Sequence, residues 1–483
     1  MLHVDTLIKN AWLVTVDPQR RVFTDGYVAF KDGRIAAVGP MAECSVVARE
    51  TIDARGRLVM PGMTNAHNHL IQIAFRGYND DRWPVLDIPA AVRALVAQLF
   101  TVADRLDGER THKMVRLHAL ELLKAGYTAT HDEHFTNVRK DSADGSWTAI
   151  EESGLRGYLT RCIVDAAVPE QGHETVDAGL FEVERLAAQF RSDRVTVATG
   201  FLNFNFRRDP EDMRRIHQGA MAVGVPFGID MTDNSRGAAL RARGFDRGQV
   251  EYYRSFGLLD HGPIYAGKAV NIRPEEYAIL AERDCRVGLV PMLRYFDGQG
   301  LPVHRFLEHG MLPALGTDAP LVSDCQNPFE VMRMALLAQN INLKMQGGET
   351  PDAPHWLNAE RLIEMATLGG ARTLFMDDIA GSIEVGKAAD CVMIDTGRAS
   401  LQPTYRDRRT LGALVWGGQS SDVDTVFVGG EKLIEGGVST RWDEERVVRE
   451  AVAVLDAVTR ETDLATMLPP RTAGNAYRGW QYV

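Results

Sequence analysis

Cysteine is scarce in this chain: there are five, at positions 44, 162, 285, 325 and 391, and none form a C-x-x-C pair. An odd, scattered set argues against a disulfide framework and points to a reducing cytoplasm. The stretch Met1 to Asn10 lacks the charged-then-apolar order of a signal peptide. No apolar run approaches the ~20 residues needed to span a bilayer. Long basic blocks are missing too, and the formal charge is −11. Nothing therefore favours a nucleic-acid or anionic-membrane partner. The short run Arg406-Asp407-Arg408-Arg409 reads as a solvated loop. Fixed-period repeats and low-complexity tracts are also lacking.

What remains is a chain of globular composition, 45% hydrophobic and 25% charged over 483 residues, long enough for a large domain with an accessory one. Residues 1–58 read as short strands, with a turn at Lys31-Asp32-Gly33. From residue 59 short apolar runs alternate with amphipathic stretches. The expected strands lie near 59–66, 127–131, 156–163, 195–201, 226–231, 263–267, 286–290 and 312–316. Helical patterns such as 111–125, 178–190 and 210–223 separate them. Strand–helix alternation implies a parallel sheet, and eight units fit a (β/α)8 barrel of the TIM type. An open doubly wound sheet would bring a Gly-rich phosphate turn after its first strand, and none is present. Residues 377–436 return to strand texture and are expected to pair with 1–58 as a composite β-sandwich. That leaves 59–376 as the barrel and 437–483 as a C-terminal helix and tail.

The sharpest local signal is Pro61-Gly62-Met63-Thr64-Asn65-Ala66-His67-Asn68-His69. Side chains at i and i+2 of a strand share a face. At a barrel strand's end that face is the mouth, where active sites sit. Two imidazoles converging there make a natural metal pair. An isolated H-x-H is more often two histidines in a polar loop than a metal pair, but the strand and Pro-Gly before it favour the metal reading.

The run Val59 to His69 resembles the first barrel strand of the amidohydrolase superfamily. Gly126-Tyr127-Thr128-Ala129-Thr130 resembles its second strand, Leu315-Gly316-Thr317-Asp318 its eighth, and Gly381 to Asp390 the start of its returning β unit. Gln72 to Trp83 and Asp132-Glu133-His134-Phe135 look most like the triazine hydrolase and aromatic deaminase branch. The resemblance implies one divalent metal ion per chain, commonly zinc or iron. Its ligands would be H-x-H, a His ending strand five and an Asp ending strand eight. A Glu three residues after the strand-five His would shuttle protons, and a strand-six His would orient the attacked group.

Carried over, the resemblance makes His67, His69 and Asp318 metal ligands, with Asp318 also taking a proton. A helix N-cap is the other reading of Asp318. Strand five departs from the pattern: Asp230 stands for the expected His and Asp233 for the Glu, a change that would shift preference toward iron or manganese. The lesser reading is that these two carboxylates simply line a polar mouth. Strand six departs further, with Gly267 at the His position. Lys268 beside it faces the mouth only if the chain turns there. In strand two either His131 and Glu133 or Asp132 and His134 face the mouth; His134 is the better family match for substrate contact. Glu133 and His134 both suit proton transfer. Trp83, Phe204, Phe206, Arg294, Tyr295 and Phe296 fall in loops on the mouth side, where aromatics suit a flat heterocycle.

The expectation is a metal-dependent hydrolase whose ion activates water toward an electron-poor carbon. Ammonia, an amine or halide would leave a small N-heterocycle or cyclic amidine. Two alternatives stand beside it. One is a diverged barrel catalysing elimination, decarboxylation or cyclisation, and the other a non-catalytic binding protein. A homodimer is implied by the resemblance alone.

Overall fold

The computed structural model describes residues 2–77, 88–164, 168–202, 206, 208–233, 235–296, 300–345, 351–404 and 407–462, without the side chains of 88–95, 294–296 and 353. The N-terminal strands are β1 (Leu2–Val14), β2 (Val22–Lys31), β3 (Arg34–Pro40), β4 (Val46–Asp53) and β5 (Leu58–Pro61). The barrel strands follow: β6 (Met63–Asn65), β7 (Tyr127–His134), β8 (Arg156–Ile163), β9 (Val195–Leu202), β10 (Phe227–Thr232), β11 (Ile264–Val270), β12 (Cys285–Leu289) and β13 (Ala314–Leu315). The chain ends with β14 (Cys391–Ile394), β15 (Val423–Val428), β16 (Glu431–Glu435), β17 (Val438–Ser439) and the helix Glu444–Glu461.

Strands β6 to β13 pair in chain order as one eight-stranded sheet. It closes on itself where Ala66 N–H donates to the Leu315 carbonyl and Asp318 N–H to the His67 carbonyl, each at 3.0 Å. Two glycines permit this closeness. A Cβ on Gly316 would stand 2.6 Å from the His67 nitrogen, and one on Gly62 would stand 2.1 Å from the Thr128 side chain. Inside the barrel Ala129, Tyr158, Ala198 and Tyr265 pack with Leu374 and Met376, so the interior is filled, as such barrels require.

The two chain ends form a second, nine-stranded mixed sheet. Its path runs β17-β16-β15-β14-β5-β1-β2-β3, and β4 pairs with β1. A buried ion pair ties it to the barrel: Arg156, opening β8, donates to Asp390 at 2.5 and 3.1 Å, and Asp390 also accepts the Gly429 N–H. The terminal helix buries Val447, Ala451, Val454 and Val458, one face at helical spacing, and its Glu444 pairs with Lys124 of helix Gly108–Lys124. Among the described residues no helix is long and apolar enough to cross a membrane.

Candidate active site

The first barrel strand ends at Asn65; the chain bends at His67, bridges to Asp318 at Asn68 and reaches His69 in extended backbone. Both imidazoles are buried. Each is fixed by its Nδ1. His69 Nδ1 lies 2.7 Å from the Glu133 carbonyl, which can only accept, so Nδ1 carries the proton. His67 Nδ1 lies 2.7 Å from the Tyr265 hydroxyl, whose single proton goes to the Ala66 carbonyl at 3.0 Å. That hydroxyl therefore accepts from His67 Nδ1–H. Both Nε2 lone pairs are left pointing into the same space. This outer hydrogen bonding is what orients metal-ligating histidines.

Asp318 meets them from just beyond β13. Its backbone is left-handed, φ 62°, a conformation Asp tolerates better than most residues. Oδ1 accepts from Ala319 N–H at 2.9 Å and caps no helix; the next helix begins at Pro328. Oδ1 lies 3.2 Å from His69 Nε2 and 3.9 Å from His67 Nε2. Glu133 Oε2, from β7, stands 3.8 Å from each Nε2. His67 Nε2, Glu133 Oε2 and Asp318 Oδ2 are buried with no hydrogen-bond partner. His67, His69 and Asp318 form the one group among the described residues that places three such donor atoms close enough to share an ion. Orphaned buried lone pairs at these separations fit a divalent cation, whose His and carboxylate ligands sit about 2.0–2.2 Å from it.

Charge in the cluster is sharply divided. Burial opposes a proton on His67, and nearby Lys268 adds to this, so its pKa falls well below the usual value. Burial acts on His69 as well, but Asp318 outweighs it and raises the pKa. Burial and the Asp230 charge push Glu133 up to about 8. Asp318 is buried too, yet Lys268 and His69 hold its carboxyl below the ordinary range. Burial likewise opposes charge on Lys268, but Asp230 and Asp318 keep its ammonium charged.

The alternation in β7 is now resolved. His131 and Glu133 face the interior; His131 Nε2 meets Thr160 Oγ1 at 2.8 Å, and burial takes its pKa to about 3. The other face packs on helix Ser142–Ser153. There His134 Nε2 lies 2.9 Å from Ser142 Oγ, and Asp132 accepts from Ser146 and from Leu70 N–H. His134 therefore departs from the expected substrate contact, because its strand phase turns it toward the helix. Asp233 is also engaged elsewhere: it accepts from Ser235 N–H, Ser235 Oγ and Gly237 N–H, fixing the turn after β10. Asp230 is buried nearby, but its carboxylate accepts from Thr232 and lies 3.4 Å from Lys268 Nζ. Lys268 also lies 3.6 Å from Asp318 Oδ2.

Sequence reasoning passed over Tyr265, although it sits two residues before Gly267 and so shares its face. Phe206 is buried against Tyr252 and Tyr253. Trp83 and Phe204 lie outside the described residues, as do the side chains of Arg294, Tyr295 and Phe296.

Comparison with known proteins shows the family and the fold. The amidohydrolase family profile matches residues 58–433. A 5-methylthioadenosine/S-adenosylhomocysteine deaminase of Desulforudis audaxviator is 30% identical over 92% of this chain and 97% of its own. A 5'-deoxyadenosine deaminase of Methanosarcina acetivorans is 27% identical, covering 92% and 96%. Among solved structures, a zinc-bound adenosine deaminase from Xanthomonas campestris superposes with TM-score 0.82 at 22% identity, covering 95% of this chain and 99% of that one. An atrazine chlorohydrolase from Arthrobacter aurescens gives 0.80 at 22% identity, covering 93% and 100%. A barrel closed on a buried His-His-Asp cluster and a family match over most of its length place this chain in the amidohydrolase family.

Proposed function

We propose that this enzyme hydrolytically deaminates a 6-aminopurine nucleoside or a closely related amino-substituted N-heterocycle. The observation carrying this reading is the pair of Nε2 lone pairs, fixed by Tyr265 and the Glu133 carbonyl and converging with Asp318 Oδ1. His67, His69 and Asp318 would hold one divalent ion, zinc or iron. When bound, such an ion lowers the pKa of water toward neutrality and polarises the group under attack. Glu133, its carboxyl pushed up to about 8 by burial and Asp230, suits the proton traffic of hydrolysis: it would take a proton from the attacking water and return one to the departing nitrogen. The purine preference is supported by the deaminase relatives that match nearly end to end.

The test is ammonia release by purified chain reloaded with zinc or iron. It should be assayed on 5'-deoxyadenosine, 5-methylthioadenosine, S-adenosylhomocysteine and a chloro-s-triazine. Release from an adenine nucleoside, abolished by chelator and restored by metal, is expected. Turnover of the chlorotriazine alone would overturn the purine assignment, and turnover unaffected by complete metal removal would overturn the mechanism.

A further inference from the structure

The strand-six position where the family places a histidine is glycine here, and the local backbone shows what takes its place. A Cβ on Gly267 would already press on the His67 ring and on Tyr265, at 3.3 Å from each. That side of the strand is occupied by the Tyr265–His67 hydrogen bond. The next two residues leave the regular ladder. Asp230 pairs with Gly267 and Thr232 with Val270, so Lys268 and Ala269 together oppose the single residue Met231. This is a β-bulge, a device that re-aims a side chain next to an active site. Lys268 and Ala269 both adopt left-handed backbone, φ 61° and 45°, which neither residue type favours. Strain of this kind persists where the surroundings enforce it and gathers at functional sites.

The bulge turns Lys268 inward. Its side chain is 12% exposed, and its ammonium stands 3.4 Å from Asp230 Oδ2 and 3.6 Å from Asp318 Oδ2. Two consequences follow. Asp230, on the strand that supplies a ligand in the family, is committed to an ammonium and to Thr232. Asp318 is shared, with Oδ1 toward the histidines and Oδ2 toward the lysine. Two carboxylates, on Asp230 and Asp318, flank one ammonium. A fixed positive charge 3.6 Å from Asp318 Oδ2, in a water-poor interior, would oppose cation binding there.

We propose that Lys268 is a positioning residue that withdraws Asp230 from the ligand set, leaving a metal site of three protein ligands, His67, His69 and Asp318, whose affinity it holds down. The arrangement keeps coordination positions open for water and substrate, as catalytic sites require. It rests on the metal reading given above.

The test is titration of metal-free protein with Zn2+ against a chromophoric chelator, with the Co2+ absorption spectrum as a second readout. Lys268→Met should bind Zn2+ at least about tenfold more tightly, because Asp230 is released as a ligand. Its Co2+ spectrum should shift to that of a site with an added ligand. Lys268→Arg should bind as the parent does. Asp230→Asn should lose less than about twofold in affinity, and adding it to Lys268→Met should cancel the gain. A parent that binds Zn2+ with an unchanged or weaker Lys268→Met would overturn this inference alone. So would an Asp230→Asn variant that loses metal about tenfold or more. A parent and variants that all refuse Zn2+ and Co2+ would overturn the metal reading with it.

Discussion

At the scale of single residues, the cluster separates holding from reacting. Tyr265 touches no substrate in the proposed mechanism, yet it decides which nitrogen of His67 is free. Tyr265→Phe removes that acceptor and leaves a buried Nδ1–H unpaired. Metal affinity should fall about 10–100-fold, as for other outer-shell partners, and a Zn2+ competition titration would read it. The hydroxyl's loss should also cost about 1–3 kcal/mol of stability. Glu133 is the contrasting case. Glu133→Gln keeps the shape but removes the exchangeable proton, so kcat should fall about 10²–10⁴-fold while metal content measured by elemental analysis stays at the parent value. Loss of metal in that variant would recast Glu133 as a ligand.

At the scale of elements, β7 shows how one strand serves two purposes. All eight of its residues are buried. Its inward face carries His131 and Glu133 toward the site, while Asp132 and His134 lock the strand to helix Ser142–Ser153 through Ser146 and Ser142. His134→Ala should therefore act on stability. We expect a loss of about 1–3 kcal/mol in urea denaturation, from the unpaired partner left behind, with kcat per folded molecule close to the parent's. A kcat loss like that of Glu133→Gln would return His134 to the catalytic set. The bulge in β11 works the other way, reversing which side of a strand one residue faces.

At the scale of the whole molecule, several polar contacts join the terminal sheet to the barrel, among them Arg20–Glu364, Arg194–Glu431 and the buried Arg156–Asp390 pair. Arg156→Ala would strand the Asp390 charge beside Gly429 N–H. Breaking a buried pair in this way costs about 3–5 kcal/mol, so thermal unfolding should move to markedly lower temperature. Added metal should not restore it fully, because ligand binding stabilises by only about 2.7 kcal/mol at a hundredfold excess over Kd.

Much of this was legible in the sequence. Parallel barrel strands are buried on both faces, so each appears as a short apolar run between amphipathic helices, and the strand positions follow closely. The spacing of His67 and His69 sufficed to put both on one face. The phase of β7 could not be read, because a strand buried on both sides carries no apolar–polar alternation to set it. The carboxylates of strand five gave no sign of their partners either: Asp233 turned to its own following turn, and Asp230 to a lysine 38 positions on. The link from Tyr265 to His67 spans 198 positions and exists only once the barrel has closed. By itself the sequence determined the barrel, through local periodicity, and the histidine pair, through spacing, while the family showed only in the resemblance of particular strand motifs. Tertiary structure alone decided which nitrogen of each histidine is free, that Glu133 rather than His134 faces inward, and that Lys268 enters the site. Those depend on strand phase, a bulge and hydrogen bonds between distant segments, which no local pattern encodes.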